Sequence, residues 1–339
     1  MVGRWVLVGL IGLLIAGCTS PAVPPTPSTV VPTYTPIPTI PRLSYPHTPT
    51  PPHSHVPAVP TSRPTSTVPP TVTRLLPTAT SIASSGGVTI TVLYDNNAYD
   101  ERLETAWGFS CLVEGPEKRI LFDTGGDGGS ESEGGSESEG RLLRNMRALA
   151  VDPQDVDVIV ISHVHGDHVG GLAGFLRENH AVTVYLPQSF PESIKDATRD
   201  AGAELVEVHG PVEICEHVIS TGELGTLSSA PWLKEQALVV ETSRGLVVIT
   251  GCAHPGIVDI VRQAKTLADG EVYLVLGGFH LGGTSAVEVH SIVEEFQQLG
   301  VQRVAPCHCS GDTARRLFGE AYGDDFIPVG VGSRVQVAD

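Results

Sequence analysis

The chain has 339 residues, of which 41% are hydrophobic and 17% are charged, and its formal net charge is −17. Only four of the 21 basic residues and none of the 38 acidic residues precede residue 88, so residues 88–339 carry a net charge of −21. Nucleic acid is a poor partner for such a segment, because phosphate binding needs clustered Lys and Arg. The composition also excludes a collagen, a coiled coil and a multi-span membrane protein.

The first eighteen residues have the pattern of an export signal. Arg4 precedes an apolar run over residues 5–16, which is too short to cross about 30 Å of hydrocarbon. The segment ends in Leu-Ile-Ala-Gly-Cys at residues 14–18, which resembles the lipobox of bacterial lipoproteins. The resemblance implies a lipidated Cys18 that anchors the protein to the cell membrane outside the cytoplasm. An ordinary signal peptide and a buried helix are the alternatives.

Two stretches of the chain have low complexity. Residues 19–87 hold 18 prolines and many Thr and Ser residues. With so many prolines, the apolar residues show no regular helical or strand spacing. We therefore expect a disordered linker that holds a folded domain away from the membrane. Residues 127–140 are rich in Gly, Ser and Glu, and we expect a flexible insertion there. Their spacing differs from that of an EF-hand calcium loop.

The predicted folded domain covers residues 88–339. Its first half holds runs typical of strands at residues 88–94, 109–114, 119–122, 157–161, 182–186 and 204–208. Its second half predicts strands at residues 237–241, 246–250, 271–276 and 302–306, and helices at residues 257–267 and 286–299. Paired strands followed by strands that alternate with helices, twice over, predict two sheets with helices outside them.

One short string concentrates side chains that bind metals. His163, His165, Asp167 and His168 follow a predicted buried strand and open a helix. Burying such groups without partners would cost on the order of several kcal/mol each, so a role in binding is expected. Residues 163 and 165 alternate and can point to one ion, and residues 167 and 168 can point to a neighbouring one. Imidazole with carboxylate favours Zn, Fe, Mn or Ni.

The His-x-His-x-Asp-His string after a strand, with Leu-Phe-Asp-Thr-Gly at residues 121–125, resembles the metallo-β-lactamase superfamily. The resemblance covers most of residues 88–339 and implies a four-layer αββα sandwich with a metal site at one edge. It also implies two divalent transition-metal ions, Zn being expected and Fe or Mn being alternatives. The implied activity is hydrolysis of an ester, lactone, lactam or phosphoester of small-molecule type by a metal-bound hydroxide.

Five further strings resemble the branch of that superfamily named after a dihydropterin-(ribofuranosyl)aminobenzene-phosphate synthase. They are Asp-Asn-Asn at residues 95–97, Trp-Gly-Phe-Ser at 107–110, Gly-Cys-Ala-His-Pro-Gly at 251–256, Gly-Gly-Phe-His-Leu at 277–281 and Pro-Cys-His-Cys-Ser-Gly at 306–311. A pterin-related synthase or transferase is therefore an alternative to the hydrolase, although pterin substrates are cytosolic and the chain carries an export signal. A surface protein that binds metal or ligand without turnover is the third alternative.

The resemblance implies a role for each matching residue. Metal ligands of the family are matched by His163, His165, Asp167, His168, His254 and His308, and Asp167 is also expected to orient the attacking hydroxide. Asp123 matches a residue that orients the histidine string. Cys252 stands where a bridging Asp is common, which leaves the bridge and the metal identity open. His280 is expected to be a ligand, a substrate contact or a support for the ligands. Residues 96–107 are candidates for substrate contact, and a Cys252–Cys307 disulfide is left open.

Overall fold

The structure is a computed structural model that describes residues 87–115, 117–126, 140–225 and 232–338. All of these residues belong to the second of the two units into which the chain divides, Arg74–Asp339. The predicted export signal, the linker up to residue 86 and residues 127–139 of the predicted insertion lie outside the described residues. Within the described residues, no helix combines the length and the apolar character needed to cross a membrane.

Thirteen strands are present in the described part of the chain. In chain order they are β1 (Val88–Tyr94), β2 (Ser110–Glu114), β3 (Arg119–Phe122), β4 (Val158–Val160), β5 (Thr183–Pro187), β6 (Glu204–Val208), β7 (Val212–Cys215), β8 (Val218–Ser220), β9 (Leu238–Thr242), β10 (Gly245–Thr250), β11 (Val272–Gly278), β12 (Arg303–Cys307) and β13 (Arg334–Val337). Seven helices accompany them: α1 (Arg141–Ala148), α2 (Gly166–Val169), α3 (Leu172–Glu178), α4 (Glu192–Asp200), α5 (Ile257–Leu267), α6 (Ala286–Gln298) and α7 (Asp312–Tyr322).

The strands form two sheets. The first has the order β13-β1-β2-β3-β4-β5-β6, and the second has the order β12-β11-β10-β9-β8-β7. In the first sheet β3 to β6 run parallel, whereas β13, β1, β2 and β3 pair antiparallel. In the second sheet β10, β11 and β12 run parallel, and β7 to β10 pair antiparallel. Each sheet therefore has a parallel block whose carboxyl ends can carry a site.

The packing explains the four layers. Side chains alternate along a strand, so β10 presents Val247 and Ile249 to the core between the sheets and Leu246 and Val248 to the helices. The core between the sheets takes residues from both of them, whereas one outer core joins the second sheet to α5, α6 and α7. The other outer core joins the first sheet to α1 and α3. The predicted αββα sandwich is confirmed.

The predicted elements agree with the observed ones within about two residues at each end, as expected for boundaries. Strands β1, β3 and β6 and helix α5 have the predicted bounds. Three strands, β7, β8 and β13, were not predicted. The first two are four and three residues long, and β7 has no fully buried position, so their hydrophobic pattern is weak. They nevertheless complete the edge of the second sheet.

Candidate metal centre

The candidate ligands lie on turns that leave the carboxyl ends of parallel strands. The string at residues 163–168 follows β4, Cys252 and His254 follow β10, and His308 follows β12. Because β4 belongs to the first sheet and β10 and β12 to the second, both sheets contribute side chains to one edge of the sandwich. The structure therefore brings together residues that are distant in the sequence, such as His168 and His308, which are 140 positions apart.

One group of potential ligands consists of three histidines, His163, His165 and His254. One ring nitrogen from each lies within 4.8 Å of the others. The distance from His163 Nε2 to His165 Nδ1 is 3.1 Å. His163 is fully buried, whereas His165 is only partly buried. This group offers three nitrogen donors with access from one side.

A second group consists of Asp167, His168, Cys252 and His308, whose donor atoms also lie within 4.8 Å of one another. The Cys252 sulfur is 3.2 Å from His168 Nε2 and 3.3 Å from His308 Nε2. A carboxylate oxygen of Asp167 lies 3.4 Å from His308 Nε2. Residues 163 and 165 thus lie in one group and residues 167 and 168 in the other, which is the division that the spacing suggested.

Cys252 lies among the donors of the second group. The position that the resemblance identified with a bridging Asp therefore holds a sulfur close to the two histidines of that group. The Cys252–Cys307 disulfide, which the sequence left undecided, is not formed. Both residues are free cysteines, as are Cys111, Cys215 and Cys309.

The hydrogen bonds of four histidine rings test whether a metal fits these groups. In His168, Nδ1 lies 2.7 Å from Asp123 Oδ2, and in His254 it lies 2.8 Å from Glu235 Oε2. A carboxylate only accepts, so in both rings we assign the proton to Nδ1. The Nε2 atom of each ring then presents a lone pair to its group. Anchoring of the second nitrogen in this way is typical of histidines that bind metals.

The other two rings follow the same rule. The Ser162 hydroxyl donates to Asp123 Oδ2 at 2.7 Å, so its oxygen accepts from His163 Nδ1 at 2.8 Å. The Asn96 amide nitrogen donates to the carbonyl of His308 at 3.2 Å, which turns its oxygen toward His308 Nδ1 at 3.1 Å. All four rings therefore direct an unprotonated Nε2 into the centre.

These lone pairs need a positive charge between them. The Nε2 atoms of His168 and His308 are 3.2 Å apart, and neither carries a proton in the assigned tautomers. Two facing lone pairs repel each other unless a cation binds both of them. A divalent transition-metal ion satisfies this requirement, and the donor set of imidazole, carboxylate and thiolate suits such an ion. The residues of the centre fit the metal ions that the resemblance implied.

Asp123 supports the first sheet's part of the centre. It is fully buried at the end of β3 and accepts hydrogen bonds from the Ser162 amide at 2.6 Å, the Ser162 hydroxyl and His168. Burial raises the pKa of Asp123, and the His168 ring and Ser162 oppose that rise. Burial favours the neutral form of His168, but the adjacent Asp123 raises the pKa of its ring. The structure places Asp123 where it can orient the histidine string.

Glu235 is a supporting residue that sequence reasoning missed. It is fully buried, and its two oxygens accept from the amides of Cys252, Ala253 and His254 at 2.7–2.8 Å and from the His254 ring. Burial alone would raise its pKa, but the neighbouring histidines hold the pKa of Glu235 well below its usual range. The carboxylate also offsets the left-handed backbone of Ala253, whose φ is 64°.

Asp95 and Asn96 support His308. The backbone amide of His308 donates to Asp95 Oδ2 at 3.1 Å, and the Asn96 side chain holds both the carbonyl and the ring. His308 has a φ of 48°, a left-handed conformation that costs energy unless such contacts hold it. The Asp-Asn-Asn string was the available signal, but it suggested substrate contact and not support for a ligand.

Asp167 and Trp107 lie at the open side of the centre. Burial works against ionisation of Asp167, but hydrogen bonding with His308 and the charge of His168 hold its pKa well below the usual range. Its side chain is 22% exposed. The Trp107 ring is 60% exposed, and its centroid is 4.9 Å from that of His308. The predicted substrate loop therefore reaches the centre through Trp107 and through Asn96.

His280 belongs to neither ligand group. It is exposed, and its ring centroid lies 4.5 Å from that of His254. Its nearest set of potential donors is formed with Cys252 and Cys309. The structure therefore places His280 beside the centre and in contact with a second cysteine.

Comparison with known proteins agrees with this architecture. The sequence profile of the metallo-β-lactamase superfamily matches residues 108–264. A 7,8-dihydropterin-6-methyl-4-(β-D-ribofuranosyl)-aminobenzene-5′-phosphate synthase of Methanocaldococcus jannaschii is 27% identical over 290 residues, which cover 73% of this chain and 95% of the relative. An uncharacterised protein of the same organism is 30% identical, over 66% of this chain and 90% of the relative. The resemblance to the pterin-synthase branch is confirmed.

A solved structure gives the same result. The crystal structure of Tm1679, a metal-dependent hydrolase of the β-lactamase superfamily, superposes with a TM-score of 0.60 at 29% identity. The match covers 74% of this chain and all of that protein. Together with the two relatives and the αββα architecture, it shows that this chain belongs to the metallo-β-lactamase superfamily, whose fold implies a divalent-metal centre.

Proposed function

We propose that the protein is a metal-dependent hydrolase that acts on an ester, lactone, lactam or phosphoester of a small molecule. Hydrolase activity at this coarse level is supported by the superfamily and by the likeness to Tm1679. The observation that carries the proposal is the set of four rings that direct unprotonated Nε2 atoms into two adjacent ligand groups. The net charge of −21 over residues 88–339 favours a small substrate over nucleic acid.

The chain's residues have separate tasks in this proposal. His163, His165 and His254 would hold one ion, and Asp167, His168, Cys252 and His308 would hold the other. Bound divalent ions lower the pKa of water and polarise the substrate, which is the chemistry that the protein itself lacks. Zinc is the expected metal, because nitrogen and sulfur donors suit it, and iron and manganese are the alternatives.

Asp167 is the proposed catalytic residue. Of the residues in the two groups it alone has a carboxylate, its pKa is held well below the usual range, and part of it faces solvent. An anionic oxygen in this place can hold the proton of an attacking water and fix the water's direction. General base catalysis of this kind contributes about 10²- to 10⁴-fold to a rate.

The test uses the whole protein, elemental analysis and a panel of esters, lactones, lactams and phosphoesters. We expect two transition-metal ions per chain, turnover of at least one substrate class, and a loss of about 10²-fold or more in kcat for Asp167→Asn. Asp196→Asn, an exposed carboxylate on α4, is the matched control. A metal-loaded protein that turns over nothing on the panel would favour the non-catalytic binding protein instead.

A pterin-related synthase is the second candidate. The observation that favours it is the match to the archaeal synthase over 95% of that protein's length. Calorimetric titration with a 7,8-dihydropterin tests it, since this candidate requires tight, metal-dependent binding of the pterin. Binding of the pterin without turnover on the hydrolase panel would favour the synthase over the hydrolase.

We propose further that the protein works outside the cytoplasm, attached to the membrane through a lipidated Cys18 at the start of the Pro/Thr-rich linker. The support is the sequence pattern of residues 1–18 and 19–87. Metabolic labelling with a fatty acid and cell fractionation test it. Label on the wild type and its loss in Cys18→Ala are expected, whereas equal labelling of both would contradict the proposal.

A further inference from the structure

A third set of donors lies beside the two ligand groups. Atoms of Cys252, His280 and Cys309 lie within 4.8 Å of one another. The Cys309 thiol also donates to the Cys252 carbonyl oxygen at 3.5 Å. Neither His280 nor Cys309 belongs to the two groups assigned above. The set therefore adds one sulfur, that of Cys309, and one imidazole, that of His280, which the proposed hydrolase does not use.

The topology builds this set. Strands β10, β11 and β12 are parallel neighbours that end at Thr250, Gly278 and Cys307. The residues of the set, Cys252, His280 and Cys309, each lie two positions beyond the end of the corresponding strand. Because parallel strands that end together deliver equivalent positions to the same edge, the three side chains converge. Their convergence is a property of the sheet and not a chance contact between surface side chains.

The backbone around the set leaves no room for a bulkier residue. A Cβ added to Gly278 would lie 2.8 Å from the Cys309 sulfur and 2.3 Å from the carbonyl oxygen of Gly251. His280 has a φ of 54°, which is left-handed backbone that non-glycine residues adopt only when contacts hold it. The glycine and the strained histidine together let the two sulfurs approach the ring.

We infer that Cys252, His280 and Cys309 form a third metal site, adjoining the second group, for a soft, thiophilic metal ion of the copper(I) class. Two thiolates and one imidazole are soft donors, which select such ions over hard ones. Structural zinc sites close with four protein ligands, whereas this set offers three. The two cysteines are buried, and His280 is exposed, so the ion has an entry path past the histidine. Each sulfur that is still a thiol passes its proton to solvent when it binds the ion as a thiolate.

The site shares one atom with the dinuclear centre. The Cys252 sulfur also lies within the second group, beside His168 and His308. An ion held by Cys252 and Cys309 therefore draws on a donor that the second group also needs. Cys309 and His280 are specific to the new site, so substitutions there separate it from the proposed catalytic metals.

The experiment is an anaerobic titration of the whole protein with copper(I) against a chromophoric chelator, with X-ray absorption at the copper edge. We expect one tightly bound copper(I) per chain, with two sulfurs and one nitrogen around it. Cys309→Ser and His280→Asn should each weaken binding by about tenfold or more, whereas Cys215→Ser, a free cysteine elsewhere in the fold, should not.

Zinc content measured in the same samples keeps the two proposals apart. Retained zinc with lost copper in Cys309→Ser supports the new site whether or not the protein proves to be a hydrolase. The inference is overturned if both variants bind copper(I) as the wild type does, or if the absorption spectrum shows fewer than two sulfurs. His280→Asn changes an exposed residue, so it provides an answer even where the Cys309 variant fails to fold.

Discussion

Glu235→Gln tests the view that a buried carboxylate holds a metal ligand in its binding tautomer. The substitution keeps the size of the side chain but replaces one accepting oxygen with a donating NH₂ group. In the wild type, one oxygen accepts from Cys252 and Ala253, and the other accepts from the amide and the ring of His254. If the glutamine keeps the first pair of contacts, its NH₂ group faces two donors.

The structure sets the size of the effect. Two buried donors lose their acceptor, and each unsatisfied donor costs about 1–3 kcal/mol. His254 can relieve one of the two conflicts by moving its proton from Nδ1 to Nε2, so that Nδ1 accepts from the new NH₂ group. That change protonates the nitrogen that faces the first ligand group. One donor remains unsatisfied, so we expect a loss of stability of about 1–3 kcal/mol in the metal-free protein, and about 10- to 100-fold weaker binding of one ion.

The assay is a competition titration with a zinc chelator, together with urea unfolding of the metal-free protein. Cobalt(II) substitution identifies the affected site, because of the two ligand groups only the second contains a thiol. The expected loss is in the first group, so the sulfur-to-cobalt absorption of the second group should be preserved. Glu241→Gln is the matched control, since Glu241 also pairs with a histidine ring, that of His217 at 3.1 Å, but is half-exposed and lies in strand β9. Wild-type zinc affinity and an unchanged unfolding midpoint in Glu235→Gln would refute this reasoning.

Three further changes address other parts of the centre. Gly251→Ala should destabilise the fold by about 1–3 kcal/mol in urea unfolding, because its Cβ would lie 2.1 Å from Ser162 Oγ; an unchanged midpoint would contradict this. Asn96→Leu should weaken the binding of one metal ion by about 10- to 100-fold in chelator competition, because His308 Nδ1 loses its acceptor. It should also reduce the sulfur-to-cobalt absorption of the cobalt-substituted protein. Metal binding should change the tryptophan fluorescence of the wild type but not of Trp107→Phe, since that ring lies 4.9 Å from His308; an equal change in both would contradict this placement.

Local spacing was enough to predict how the string at residues 163–168 divides between two groups. Its members lie on one turn after β4, so their relative directions follow from the backbone alone. The convergence of His254 and His308 on that turn depends on which strands become neighbours, and here the prediction rested on the resemblance to a family. The metal-binding roles of all these residues remain predictions, although the structure brings the side chains together.

Asp123 was predicted as a supporting residue from the resemblance, whereas Glu235 and Asn96 could not be predicted in that role, for a physical reason. Glu235 accepts from backbone amides that lie 17 to 19 positions away, and every residue except proline has such an amide. Its contacts therefore leave no pattern of side-chain types in the sequence. Asn96 contacts His308 across 212 positions, so its role is visible only once β1 and β12 have been placed in facing sheets. Short strands such as β8 carry too few apolar positions to be recognised.

The same contacts show which residues hold the ligands in place within each sheet. Asp123 fixes the histidine string within the first sheet, and Glu235 fixes the turn after β10 in the second. Each ligand group then takes donors from both sheets, so a bound ion would join two halves that are already shaped.

An unfolded chain has no such prearranged set of donors. Binding free energy therefore adds to the stability of the folded sandwich. Metal removal should act mainly on the packing of the two sheets at this edge, because the hydrophobic core between them and the outer helices do not depend on the ligands.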